Sequence, residues 1–229
     1  QPQKAIINDI NRELIGVYRA IKDDVDALIK RLAQFENTKE CFYDVRSWDR
    51  NAELYNQLTD IDKAARVIFL NKTCYNGLYR VNSAGEFNTP FGRYKNPNIV
   101  NESTLRAVHE YFNTADVTIL NTSYSEAVQG LPENSFVYLD PPYDPISVTA
   151  SFTGYNAGGF SREDQIALRD CCRQLDAAGI KFMLSNSATE FIQEIYSDFN
   201  VTIVPAKRAI NSVGSKRGCV DEVVVRNYE

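Results

Sequence analysis

The run "VYLDPPYDP", residues 137–145, puts an acid, two prolines and an aromatic directly behind a short apolar stretch. Proline lacks an N–H and fixes φ, so a strand reaching Asp140 must stop at Pro141 and Pro142. The prolines then hold Asp140 and Tyr143 rigidly at the strand's carboxyl end. They also leave the Pro141 carbonyl outside any strand ladder. In open α/β sheets that edge is where ligands bind. A carboxylate, a fixed carbonyl and a ring at such an edge read as a built site.

A second stretch with chemical character is "KTCYNGLYRVNSAGEFNTPFGRYKNP", residues 72–97. It carries Lys72, Arg80, Arg93 and Lys95 against the single acid Glu86, interleaved with Tyr75, Tyr79, Phe87, Phe91 and Tyr94. "VNSAGEFN" reads as a hairpin with a glycine-containing turn. Arginines and aromatics on an exposed hairpin suit phosphate contact, base-edge hydrogen bonding and stacking. The plainer reading, an aromatic hairpin packed on its own domain, stands beside it. "VGSKRGCV", residues 213–220, is a glycine-flanked basic loop suited to touching a phosphate.

The remaining reactive residue types read as structural. Cys171 and Cys172 fall on the apolar stripe of a helix, as buried thiols do. Cys74 has no basic partner nearby in sequence, so nucleophilic chemistry is not expected of it. The lone histidine, His109, reads as a surface residue beside Glu110, and Trp48 as packing. With one histidine and no C-x-x-C spacing among five cysteines, a metal site is not expected, and an odd cysteine count fits a reducing cytoplasm.

Positioning these groups requires a fold, and 229 residues are enough for one domain with a large insertion. The net charge of −5 confines any nucleic-acid contact to a local patch. No apolar run approaches the roughly 20 residues of a membrane span. "KAIIND" (4–9) reads as a strand ending in an acid, followed by a helical stretch over 11–35 and a mainly helical middle to about residue 115. Strands follow at 116–121, 135–140 and 180–186, with closing strands in "VTIVPA" and "DEVVVRNY". Between them lie a short helix near "SEAVQG", a helix over 161–179 and another over 188–198. The 161–179 helix has a capping box, Ser161 with Asp164, and Gly179 at its end. Strand–helix alternation on both sides of a helical block predicts a doubly wound α/β sheet with an inserted domain.

"DPPY" (140–143), together with "YNGLYRVNSAGEFNTPFGRYKNP" (75–97) and "ASFTGY" (150–155), resembles the Dam family of DNA adenine-N6 methyltransferases, the D12 class, which includes methylases of GATC-type restriction–modification systems. The resemblance covers nearly the whole chain. It implies a Rossmann-like sheet that binds S-adenosylmethionine, formed by residues 1–40 and 116–229, and a recognition insert over 41–115 with its hairpin near 75–95. It implies Asp140, Pro141 and Tyr143 as the catalytic motif. Asp9 matches the acid that binds the cofactor ribose, with Asp140 also at the cofactor, and Tyr124 resembles an aromatic near the cofactor adenine. Tyr75, Asn76, Leu78, Arg80 and Pro90 match DNA-reading positions, and Arg93 and Lys95 are expected on phosphates. The implied partner is double-stranded DNA, with a cognate restriction endonuclease acting separately; no metal or membrane is implied. Family members begin with a basic, glycine-rich segment, a strand and a glycine loop for the cofactor. "QPQKAIIND" starts just downstream of these, so the chain is expected to be part of a longer protein.

The chemistry implied is methyl transfer to an amine whose lone pair is delocalised into its ring. With one amino hydrogen on the Asp140 carboxylate and the other on the Pro141 carbonyl, the nitrogen can become more tetrahedral and aim its lone pair at the methyl. Tyr143 would stack on the adenine, which must leave the duplex to reach the pocket. Methylation of RNA adenine, methylation of cytosine N4, and a non-catalytic nucleic-acid-binding relative remain as alternatives at this point.

Overall fold

The computed structural model describes residues 1–146, 159–207 and 219–229. The "ASFTGY" stretch and residues 213–218 of the basic loop lie outside the described residues. The chain forms two compact units, Gln1–Ala127 and Val128–Glu229.

In the first unit, β1 (Lys4–Asn8) pairs in parallel with β2 (Asp116–Leu120), from Lys4 opposite Asp116 to Asn8 opposite Leu120. Everything between them is helical or irregular: α1 (Arg12–Asp23), α2 (Val25–Leu32), α3 (Lys39–Ser47), α4 (Ala52–Gln57), α5 (Asp60–Thr73) and α6 (Glu102–Thr114), with α7 (Tyr124–Ala127) after β2. The helical stretch expected over 11–35 is in fact two helices. Asp24 leaves helical geometry at φ −150°, and its carboxylate accepts the Ala27 N–H to start α2. Aspartate competes with the helical backbone in this way, which is why it favours caps over helix interiors.

α5 is the hub of this unit. A capping box, Thr59 with Asp62, fixes its start, and Ala64, Ala65, Val67, Phe69 and Leu70 are all buried. Phe69 packs against Phe35 and Phe42, with ring centroids 4.7 and 6.4 Å apart. Trp48 does pack, against Phe35 and under the Arg31 guanidinium. His109 departs from its expected place at the surface. It is half-buried, and its Nδ1 lies 2.7 Å from the Ile21 carbonyl, tying α6 to α1.

In the second unit the strand order is β3 (Phe136–Leu139), β4 (Lys181–Ser187), β6 (Cys219–Arg226), β5 (Asn200–Lys207). β3 and β4 run parallel, whereas β6 is antiparallel to both β4 and β5. α8 (Arg162–Ala177) buries Leu168, Cys171, Cys172 and Leu175, the stripe its spacing predicts, and starts with the expected Ser161–Asp164 capping box. Gly179 ends it at φ +71°, a region that favours glycine. α9 (Glu190–Ile195) is shorter than the helix expected over 188–198 because its last turn tightens at Tyr196.

The chain is therefore a mixed α/β protein. Among the described residues, hydrogen bonding joins its strands into two sheets, β1–β2 and β3–β4–β6–β5, where one sheet was expected.

Candidate active site and nucleic-acid interface

β3 ends at Leu139, one residue before Asp140, as the prolines require. The parallel register sets Leu139 opposite Leu184 on β4, so Asp140 and Ser185 come next to each other at the strands' carboxyl ends. The Ser185 hydroxyl donates to Asp140 Oδ1 at 3.0 Å and lies 3.0 Å from the Tyr138 hydroxyl. Tyr143 shares this neighbourhood. Burial first, and then the Asp140 carboxylate, raise its phenol above the ordinary value, while a hydrogen bond with Ser185 offsets part of that rise.

The backbone after the prolines is held from two sides. Gln165 of α8 donates its amide to the Pro142 carbonyl at 2.8 Å. Asn186 of β4 accepts the Asp144 N–H at 2.9 Å and donates to Gln165 Oε1 at 3.1 Å. Asp144 is itself buried, accepting from Thr189 Oγ1 at 2.8 Å with Arg162 3.6 Å away. Buried polar groups persist only when paired, and here the pairing fixes the loop.

In the first unit, Asp9 follows the end of β1 and is half-buried, its carboxylate accepting the Asn11 N–H at 2.7 Å. Asn11 in turn caps α1 by accepting the N–H groups of Glu13 and Leu14. The ends of β1 and β2 are laced together. Asn8 and Thr122 exchange two hydrogen bonds of 3.1 Å, and Asn121 donates to the Asp9 and Ile10 carbonyls. Ile10, beside the acid, is 58% exposed. Tyr124 opens α7, just past β2, where the Ser123 hydroxyl accepts the Glu126 N–H.

The 74–92 segment doubles back on itself through two isolated antiparallel bridges, Cys74 to Phe91 and Val81 to Phe87. Gly85, at φ +81°, closes the turn with its N–H on the Asn82 carbonyl. Gly92 has no alternative, because a Cβ there would sit 2.7 Å from the Cys74 carbonyl oxygen. Tyr75 donates its N–H to the Pro90 carbonyl, and Asn76, at φ +56°, donates its N–H to the Tyr94 hydroxyl. Tyr75, Leu78, Arg80, Pro90, Arg93 and Lys95 are exposed, and Asn76 is half-buried. Arg80 Nε donates to Asn88 Oδ1 at 2.7 Å, so the hairpin brace and an outward guanidinium coexist.

The segment is anchored on charge. Asp49 accepts the Phe87 N–H at 2.8 Å, while Arg50 donates to the Phe87 carbonyl and Arg46 to that of Thr89. Asp49 also pairs at 2.5 Å with Arg66, which is fully buried on α5 and donates to the carbonyls of Val45 and Arg46. Glu13 completes the cluster, 3.4 Å from Arg66 and hydrogen-bonded by Tyr55, whose phenol burial pushes well above its usual range.

The structure thus brings Asp140, Pro141 and Tyr143 to one strand end, Asp9 and Tyr124 to the ends of adjacent strands, and the expected DNA-reading residues to one segment. Sequence reasoning missed Ser185, Asn186 and Gln165. The polar run "SNS" (185–187) ending an apolar strand was the available signal. It also missed Arg66 and Asp49, although an arginine inside "AARVIF" should have stood out as a buried charge in need of partners. Among the described residues, no cluster of three or more histidine, cysteine or acidic side chains is arranged to hold a metal ion, and no helix is long and apolar enough to cross a membrane.

Residues 1–210 match the family described as D12 class N6 adenine-specific DNA methyltransferase. The chain is 44% identical to the Type II methyltransferase M1.LlaDCHI of Lactococcus lactis subsp. cremoris, over 99% of this chain and 80% of that protein. It is 43% identical to the Type II methyltransferase M.MjaIII of Methanocaldococcus jannaschii, over 99% of this chain and 81% of the relative. It is 34% identical to the DNA adenine methylase of Escherichia coli K12, over 96% and 77% respectively.

Proposed function

The chain belongs to the D12 class of N6 adenine-specific DNA methyltransferases, and from that premise we propose how its residues divide the reaction. S-adenosylmethionine supplies the methyl group, carried on a positively charged sulfur. The residues at the end of β1 fit the nucleoside part of that cofactor. Asp9 offers a carboxylate to a ribose diol, and exposed Ile10 beside it offers apolar surface to a flat base. Tyr124, at the end of β2, is assigned to the cofactor adenine, and Asp140 borders the cofactor as well as the target base.

Asp140 and Pro141 accept the two hydrogens of the target amino group. The amine then directs its lone pair outward, and Tyr143 stacks on the ring. Asp140 need not be a strong base, because the methylated amino group sheds its proton readily. Positioning carries much of such a step, up to roughly 7–11 kcal/mol in well-oriented reactions. A single observation supports this reading most. The Asp140 carboxylate stands at a parallel strand's end, held by Ser185, while Gln165 and Asn186 fix the backbone immediately after Pro141.

Residues 41–115 are read as the recognition insert, and 1–40 with 116–229 as a catalytic domain of Rossmann type. The hairpin near 75–95 meets DNA. Arg80 offers its planar fork to a guanine edge, Arg93 and Lys95 contact phosphates, and Tyr75, Asn76, Leu78 and Pro90 pack where the flipped adenine leaves its duplex. The site read is GATC. The enzyme works in the cytoplasm, and a cognate restriction endonuclease acts on the same sequence separately. The names of the Type II relatives support that last assignment.

Methylation rates of the full chain on GATC and its single-base variants test this reading, with N6-methyladenine identified in the product. Arg80→Ala should lose roughly 1–3 kcal/mol at one base position and relax discrimination there. Equal loss on every variant, with preference kept, would remove Arg80 as a base reader. A product methylated elsewhere than adenine N6 would overturn the whole assignment.

A further inference from the structure

We propose that Ser185 is a positioning residue that sets the Asp140 carboxylate of the amine clamp. The inference rests on the clamp reading above and adds the group that makes the clamp rigid. A serine hydroxyl has one hydrogen to donate and two lone pairs to accept with. Here the hydrogen goes to Asp140 Oδ1 at 3.0 Å. A lone pair faces the Tyr138 hydroxyl at 3.0 Å. The hydroxyl thus joins two side chains at the β3 end, one of them the clamp's carboxylate.

The arrangement has a direct chemical consequence. Asp140 is exposed and follows its strand's last residue, so packing alone does not choose its rotamer. Ser185 is only 9% exposed on a strand paired on both sides, which makes it a fixed reference point. Its hydrogen bond occupies Oδ1 and assigns Oδ2 to the amino hydrogen of the base. Gln165 and Asn186 fix the backbone around Pro142 and Asp144; Ser185 is the group that acts on the clamp carboxylate.

Single-turnover methyl transfer by the full chain, on DNA containing the cognate site, tests the proposal. Ser185→Ala should slow the chemical step roughly 10- to 100-fold, the scale of a misplaced reacting group. Its Kd values for S-adenosylmethionine and DNA should stay within about threefold. Ser185→Thr keeps the hydroxyl and should recover most of the rate. In an Asp140→Ala background, Ser185→Ala should cost nothing further, because a residue acting through Asp140 has nothing left to position. A Ser185→Ala rate within about threefold of wild type would overturn the proposal, as would a full additional loss in that background. An Asp140→Ala enzyme with near-normal turnover would instead overturn the clamp reading itself, whatever Ser185 does.

Discussion

Asp49→Ala removes one carboxylate that serves three partners. Asp49 pairs with Arg66 at 2.5 Å and Arg50 at 2.8 Å, and accepts the Phe87 N–H at 2.8 Å. Its side chain is 11% exposed and that of Arg66 is 1% exposed, so the water lost on folding cannot return cheaply. Breaking a buried pair by deleting one partner costs about 3–5 kcal/mol, and a stranded buried N–H about 1–3 kcal/mol. Arg66 keeps Glu13 and two backbone carbonyls, which brings its share below that range and the total to about 3 kcal/mol. For a chain of this size, about 2–4 °C of Tm accompanies each kcal/mol, giving a drop of about 6–12 °C by calorimetry. Asp49→Asn, which keeps an acceptor for Phe87, should cost less. Because Asp49 holds the segment carrying Arg80, the Ala variant should also weaken base discrimination while leaving cofactor affinity within about twofold. A loss below about 1 kcal/mol with discrimination intact would refute the view that this cluster anchors the segment.

Asp9→Ala should weaken S-adenosylmethionine binding by about 1–3 kcal/mol while sparing DNA affinity, as isothermal titration on the full chain would register; unchanged cofactor affinity would place the ribose elsewhere. Burial pushes the Cys74 thiol up to about 11 and that of Cys172 to about 12, so at pH 8 only about a thousandth or less of either is thiolate. A thiol reagent should therefore label half-buried Cys41 long before Cys74 or Cys172, and rapid labelling of the latter two in folded protein would contradict their burial. Burial acts to raise the Asp62 carboxyl, but hydrogen bonds from Thr59 and Arg31 outweigh it and hold it below its usual range. Its stabilisation is then complete above the unfolded value of about 3.9 and lost as pH falls through the folded one. Asp62→Ala should cost about 1 kcal/mol at pH 7 in urea unfolding, with the gap closing toward pH 2.

Much of the site was legible because proline and acid at a strand's end have few structural uses. "DPPY" placed Asp140, Pro141 and Tyr143 just past the end of β3 from four residues, and "KAIIND" placed Asp9 just past the end of β1 by the same logic of a strand closing on an acid. The α8 stripe and its caps were equally readable, since period and capping are local properties. What escaped were contacts set by register across strands. Nothing local in "KFMLSNS" tells that Ser185 falls beside Asp140; that follows from Leu139 pairing with Leu184. The split of the 11–35 helix at Asp24 was missed because the apolar period continues across it. His109 was misplaced for a related reason, as its partner is a carbonyl 88 residues earlier in the chain.

The central claim is that Asp140 and Pro141 orient an adenine amine for methyl transfer. The most direct test is single-turnover transfer of labelled methyl from S-adenosylmethionine to duplex DNA by purified Asp140→Ala, with cofactor and DNA affinities measured alongside. The account predicts a rate at least about a hundredfold below wild type, the scale of losing one oriented acceptor, with the fold retained and any loss of cofactor affinity too small to explain that rate. Turnover within a few-fold of wild type would contradict it.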